Sequence, residues 1–187
     1  KVYYYDSPDT FQTVGKKYDP TLWNGGHIGQ MEKDIGQYEN IEEREWCDDI
    51  YWLVKREIYQ RTGGYDTEFA FQSEDFDWQV RVKQLGYKII YTPHAKLWHK
   101  ESMTIGKASP FKAYYDARNP LLVHMKYRSS DEFRKVFHIK IKSILLGSLK
   151  QLLKFKFKHV WANLSGIASA IKWGIRNKKL TFKHFIG

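Results

Sequence analysis

Apolar and polar positions follow two different rhythms along this chain, and the change comes near residue 130. Before it, short apolar runs alternate with polar loops. Val2-Tyr3-Tyr4-Tyr5 reads as a β-strand closed by the turn signal Asp6-Ser7-Pro8-Asp9. Gly25-Gly26-His27-Ile28-Gly29 reads as a flexible loop, followed by a polar stretch from Glu32 to Glu45. Ile50-Tyr51-Trp52-Leu53-Val54 is the first strongly apolar run and predicts a buried strand. It feeds a short helix over Lys55 to Arg61, ended by Gly63-Gly64. Ser73 is placed as the N-cap of a helix over Glu74 to Leu85, with Gly86 as its stop. Two further strands, Lys88 to Tyr91 and Ala95 to His99, flank a Thr92-Pro93-His94 turn. A loop from Lys100 to Ser109 leads into a helix through Tyr114, Tyr115, Arg118 and Leu122. Strands alternating with helices predict an α/β layer.

The rest of the chain is helical in period. Phe137, Ile141, Ile144, Leu145, Leu149 and Leu152 recur at three- and four-residue steps, with Lys140, Lys150 and Lys154 on the other side. Val160, Leu164, Ile167, Ala168, Ile171 and Ile175 repeat the pattern in a second helix. Neither segment approaches the ~18 uncharged apolar residues of a membrane span. The expected organisation is a first domain over residues 1–128 and a basic amphipathic helical tail over 129–187.

Charge sharpens that division. The net charge is +10, but Lys1 to Glu132 carries 18 Lys+Arg against 21 Asp+Glu. Phe133 to Gly187 carries 13 Lys+Arg and no acidic residue, so the whole basic excess lies in the tail. Apolar residues at 42% and aromatics at 17% exclude a disordered chain, because that much apolar surface can offset ordering entropy. The aromatics line either a core or a carbohydrate site. A single cysteine, Cys47, excludes an internal disulfide and a Cys-based zinc site, and fits a reducing compartment. The strand-like start at Lys1, with no signal peptide in view, reads as a cut into a longer protein.

The densest acidic cluster is Ser73-Glu74-Asp75-Phe76-Asp77-Trp78. Glu74 and Asp75 fall in the first turn of the expected helix, where free N–H groups and the macrodipole stabilise carboxylates. That keeps Asp75 ionised, as a general base must be at neutral pH. The same position suits a plain helix cap. Asp75-Phe76-Asp77 spells a D-x-D, but side chains two apart on a helix point about 200° apart and would not chelate one ion.

An ordered series surrounds that cluster. Gly63-Gly64-Tyr65-Asp66-Thr67-Glu68-Phe69 precedes it, and Leu85-Gly86-Tyr87-Lys88-Ile89-Ile90-Tyr91-Thr92-Pro93-His94-Ala95 follows. Leu53-Val54-Lys55-Arg56-Glu57 and Tyr114-Tyr115-Asp116-Ala117-Arg118-Asn119 bracket the whole. From about residue 45 to 125 the series resembles the second half of family 2 glycosyltransferases, rhamnosyltransferase-like members in particular. The resemblance implies a partial GT-A (Rossmann-like) fold, its acceptor-side half with a mixed sheet, followed by amphipathic C-terminal helices. It implies inverting transfer of a sugar from a nucleotide-diphosphate sugar to a hydroxyl of a saccharide or lipid-linked acceptor, in cell-surface polysaccharide synthesis. Asp75 matches the family's catalytic base, and Glu74 its acceptor-holding neighbour. His99 matches a histidine that contacts the metal or the donor diphosphate. Asp48, Asp49 and Trp98 are the further acceptor-contact candidates, although relatives carry smaller residues where Trp46-Cys47-Asp48-Asp49 stands here. The cofactor implied is a divalent Mg or Mn ion, held mostly by a nucleotide-binding half upstream, so these residues by themselves should be inactive or nearly so.

For the tail, basic amphipathic helices with Trp161 and Trp173 suit an anionic membrane surface. Packing of their apolar faces on the first domain, with the lysines solvated, is compatible with that. The expected location is cytoplasmic and peripheral, on the inner face of the plasma membrane. The rival readings are a basic-tailed nucleic-acid-binding protein and a non-catalytic sugar-binding module. No helix-turn-helix, RRM or KH signature supports a nucleic-acid partner, and residues 1–132 are net acidic.

Overall fold

The computed structural model describes residues 1–100 and 109–180. Most of the loop expected between Lys100 and Ser109 therefore lies outside the described residues. The chain is mixed α/β, with five strands and five helices among the described residues. Its contacts fall into two compact units, residues 1–66 with 75–104 and residues 67–74 with 105–187.

The first unit begins as a hairpin. Strand β1 (Val2–Tyr4) pairs antiparallel with β2 (Ser7–Thr13) across a two-residue turn, so the expected turn closes earlier and Pro8 enters a strand. On its other edge β1 pairs parallel with β5 (Leu97–His99), in the order β2-β1-β5. A second ribbon joins β3 (Glu42–Arg44) antiparallel to β4 (Ile89–Tyr91). Tyr3, Phe11, Val14 and Tyr91 form a buried cluster, with Ile28 and Tyr38 packed against it. The Tyr3 and Phe11 rings stack at 5.0 Å. Burying such rings is what offsets the ordering of so loop-rich a unit.

The apolar run at Ile50–Val54 is not a strand. It is a turn followed by irregular chain, and Leu53 is 92% exposed. No described strand pairs with it, so nothing would satisfy its backbone groups in a sheet. Ile50, Trp52 and Val54 are half-buried, Trp52 donating its indole N–H to the Asp48 carbonyl at 2.7 Å and stacking on Trp78 at 5.1 Å. Helix α1 (Arg56–Thr62) follows and ends at Gly63, whose φ of 70° favours glycine. Helix α2 runs from Glu74 to Gln84.

The second unit holds three helices. In α3 (Pro110–Tyr127) the Ser109 hydroxyl accepts from the Lys112 N–H at 3.1 Å, with proline at the first helical position. A Ser129–Glu132 capping box opens α4 (Ser130–Leu153). Helix α5 (Phe157–Arg176) buries Ala162, Gly166, Ala170 and Gly174, a stripe of small residues at four-residue steps. A Cβ on Gly166 would collide with the Tyr114 carbonyl and the Ala117 methyl of α3, so the stripe permits close helix approach. The large apolar face expected from the sequence is therefore not the buried one. Leu164 and Ile175 are exposed, as are Leu145, Leu149 and Leu152 of α4. No described helix is long and apolar enough to cross a membrane.

Candidate functional site

Asp75 lies in the first turn of α2, one residue after Glu74. Its charge faces Lys16, whose ammonium is also 3.0 Å from the Asp48 carboxylate. Asp48 in turn meets His27 Nδ1 at 3.1 Å. Burial opposes the charge on Lys16, but Asp48 and Asp75 outweigh it and raise the Lys16 pKa. Burial likewise pushes the Asp48 carboxyl up; His27 and Lys16 overcome this and leave it lowered to about 2. The Lys16 ammonium thus pairs with Asp48, and the charge of Asp75 adds to what keeps it protonated.

One side chain builds this arrangement. Gln79 accepts from the Cys47 N–H at 2.8 Å and donates to the Cys47 carbonyl at 2.9 Å. Its amide acts as a strand partner for a single residue and ties the Trp46–Asp49 segment to α2. The same Nε2 reaches the Asp75 carbonyl at 3.2 Å. Burial pushes the Cys47 thiol up to about 12, so it stays protonated and unreactive beside these acids. Trp46 and Phe76 meet at 4.5 Å, and Trp23 lies 6.0 Å from each. Trp46 is buried and backs the half-buried Trp23 and Phe76, whose rings have the chemistry that stacks on sugar faces.

Asp77 has a different environment from Asp75. It is fully buried, accepts from Arg81 Nε at 3.0 Å, and Arg81 donates onward to the Thr62 and Gly64 carbonyls. Trp78 donates its indole N–H to the Gly63 carbonyl at 2.9 Å. The second acid of the D-x-D thus anchors the Gly-Gly loop while the first faces Lys16.

The segment before the acids is strained. Gln72 and Ser73 have φ of 66° and 70°, left-handed values that favour glycine. The extended backbone of a usual N-cap is absent at Ser73. In the second unit, Asn119 donates to the Phe71 and Gln72 carbonyls, both at 2.7 Å. Arg118 grips Glu68 through its side chain and, at 3.0 Å, through its carbonyl. The Arg118-Asn119 pair of α3 is what holds the strained turn leading into Glu74.

The other expected residues have their own partners. Asp49 is exposed and accepts from the Tyr65 hydroxyl at 3.3 Å. Trp98 and His99 stand on β5, where Trp98 donates to the Pro8 carbonyl at 3.0 Å and His99 Nδ1 meets Gln12 Oε1 at 2.9 Å. They belong to the β2-β1-β5 sheet rather than to the Lys16 cluster. Among the described residues no group of three His, Cys, Asp or Glu side chains converges to hold a metal ion. His99 contributes one nitrogen at most, so the described residues alone do not form a metal cradle, and no chemistry is assigned to one. Lys16, His27 and Gln79 were not singled out by sequence reasoning; only their distance in space from Asp48 and Asp75 marks them.

No family model matches the chain, and no solved structure does. Over 55 residues the chain is 36% identical to the uncharacterized protein y4gI of Sinorhizobium fredii (strain NBRC 101917 / NGR234). The match covers 29% of this chain and 6% of that much longer protein.

Proposed function

We propose that the chain is the acceptor-side half of a GT-A type, family 2 inverting glycosyltransferase. The observation that carries it is Asp75 in the first turn of α2, its charge facing Lys16, which also pairs with Asp48 beside three aromatic rings. Helix dipole and ammonium both favour the ionised carboxylate that a base requires. In the proposed step the Asp75 carboxylate takes the proton of an acceptor hydroxyl. The freed oxygen bonds to the anomeric carbon of a nucleotide-sugar from the face opposite the diphosphate. The bond from that carbon to the diphosphate breaks, and the nucleoside diphosphate leaves with its electron pair. Glu74 and Asp48 orient the acceptor by accepting from its other hydroxyls, and the half-buried Trp23 and Phe76 rings cover its apolar face. Asp49 and Trp98 extend the acceptor surface, and His99 serves the donor side together with an upstream nucleotide- and Mg- or Mn-binding half.

The test is sugar transfer by the full-length product of the gene, from a panel of nucleotide-sugars with Mg²⁺ or Mn²⁺, for the parent and Asp75→Asn. The expected result is a loss of about 100-fold or more in kcat with donor binding retained, the usual contribution of a general base. Equal transfer by Asp75→Asn would make Asp75 a helix cap and sink the mechanism. Acceptor binding without transfer by parent and variant alike would favour a sugar-binding module.

A further inference from the structure

The turn between α4 and α5 is built against the interests of the fold. The Lys156 N–H bonds to the Gln151 carbonyl and the Phe155 N–H to the Leu152 carbonyl, both at 2.9 Å, which is a Schellman closure. Its left-handed position, where glycine is strongly preferred, is Phe155, with φ of 55°. The phenyl ring gains no burial in return, being 80% exposed. Every residue from Leu152 to Lys158 is exposed, and the order is Leu-Leu-Lys-Phe-Lys-Phe-Lys. Trp161, one turn into α5, is 74% exposed. Phe157 and Trp161 continue with Tyr114 and Pro110 into a groove of about 560 Å³. Large apolar side chains thus alternate with ammonium groups at a helix-hairpin tip, in a segment with 13 Lys+Arg and no acid after Glu132.

We propose that this tip, Leu152 to Trp161, is a wedge that enters the headgroup region of an anionic bilayer. Phe155, Phe157 and Trp161 enter the apolar boundary, while Lys154, Lys156 and Lys158 lie among lipid phosphates. The two contributions are additive: apolar burial holds the rings, and each lysine near the surface is attracted to negative lipid. Aromatic side chains and the long lysine stems suit that depth, since both have an apolar body and a polar end. Nucleic acid would take the lysines but leaves no role for exposed Leu153 and Phe155 beside them. The inference stands apart from the sugar-transfer reading, because the two share no residue.

The experiment is vesicle flotation of the 187-residue chain. Vesicles are phosphatidylcholine alone or with about 30% phosphatidylglycerol, and the parent should bind the latter at least about tenfold more tightly. Phe155→Gly is the decisive variant. Glycine suits the left-handed position, so its melting temperature should hold or rise, while vesicle affinity falls about threefold or more. Lys154→Gln, Lys156→Gln and Lys158→Gln combined should remove the preference for anionic lipid with helicity unchanged. Absence of vesicle binding overturns the proposal, and so does parent-like binding by Phe155→Gly. Two further results overturn it: RNA binding that displaces vesicles and ignores Phe155→Gly, or a parent dimer in sedimentation equilibrium that Phe155→Gly dissociates.

Discussion

Asp48 shows how one residue's surroundings set its contribution. Its folded carboxyl is lowered to about 2 from 3.8, so its stabilisation is complete above pH 3.8 and fades as pH falls through 2. The shift corresponds to ~2 kcal/mol. Asp48→Asn should therefore flatten the acid limb of the stability curve between those pH values, followed by circular dichroism during an acid titration. Gln79→Ala should cost ~1–3 kcal/mol in denaturant unfolding, because it strips the Cys47 N–H and carbonyl of their partner in a half-buried place. An unchanged midpoint would show that the clamp is dispensable. Asp75 and Glu74 were legible from the chain as acids in a first helical turn. Gln79 was not, since its partner lies 32 residues away and glutamine in a helix carries no pattern of its own.

At the scale of elements, α1 and α2 were read to within a residue, because their glycine stops are local, whereas α4 opens at Ser130, well before the expected Phe137. Glu74 to Leu85 was expected and Glu74–Gln84 is found. Ile50–Val54 was misread as a strand, because an apolar run names burial but not a pairing partner, and Tyr51 and Leu53 are exposed here. In α5 the periodic Ile and Leu positions are not what packs on α3: close approach selects Gly and Ala, and Leu164 and Ile175 stay exposed. Gly166→Ala should lower the unfolding midpoint by an amount equal to ~1–3 kcal/mol, as overpacking does, whereas Gly147→Ala in α4 meets nothing and should not. Between α3 and α4, burial first, then Arg128 and Lys140, lower the His124 pKa to about 3. A histidine so lowered stabilises the fold fully above its unfolded value near 6.5 and progressively less as pH falls toward 3. His124→Gln should remove that slope in the same titration.

For the whole molecule, charge and packing divide the chain differently. Acidic residues end at Glu132, whereas the contact units interleave along the chain, residues 67–74 joining the helices of 105–187. The charge division predicts that vesicle affinity falls as salt rises from about 0.05 to about 0.5 M, with a residual part set by the rings. Affinity that ignores salt would mean the lysines face only water. The amino-acid sequence by itself determined the mixed α/β class, the presence of the helices, the acid pair at the start of α2 and the charge asymmetry. Each of these depends on residues within a few positions of one another or on a simple count. Only the tertiary structure decided that Lys16 pairs with Asp48 within the field of Asp75, that Arg118 and Asn119 hold the turn before Glu74, and that small residues form the buried face of α5. Those pairings join residues tens of positions apart, and distance along the chain says nothing about distance in space until the backbone has folded.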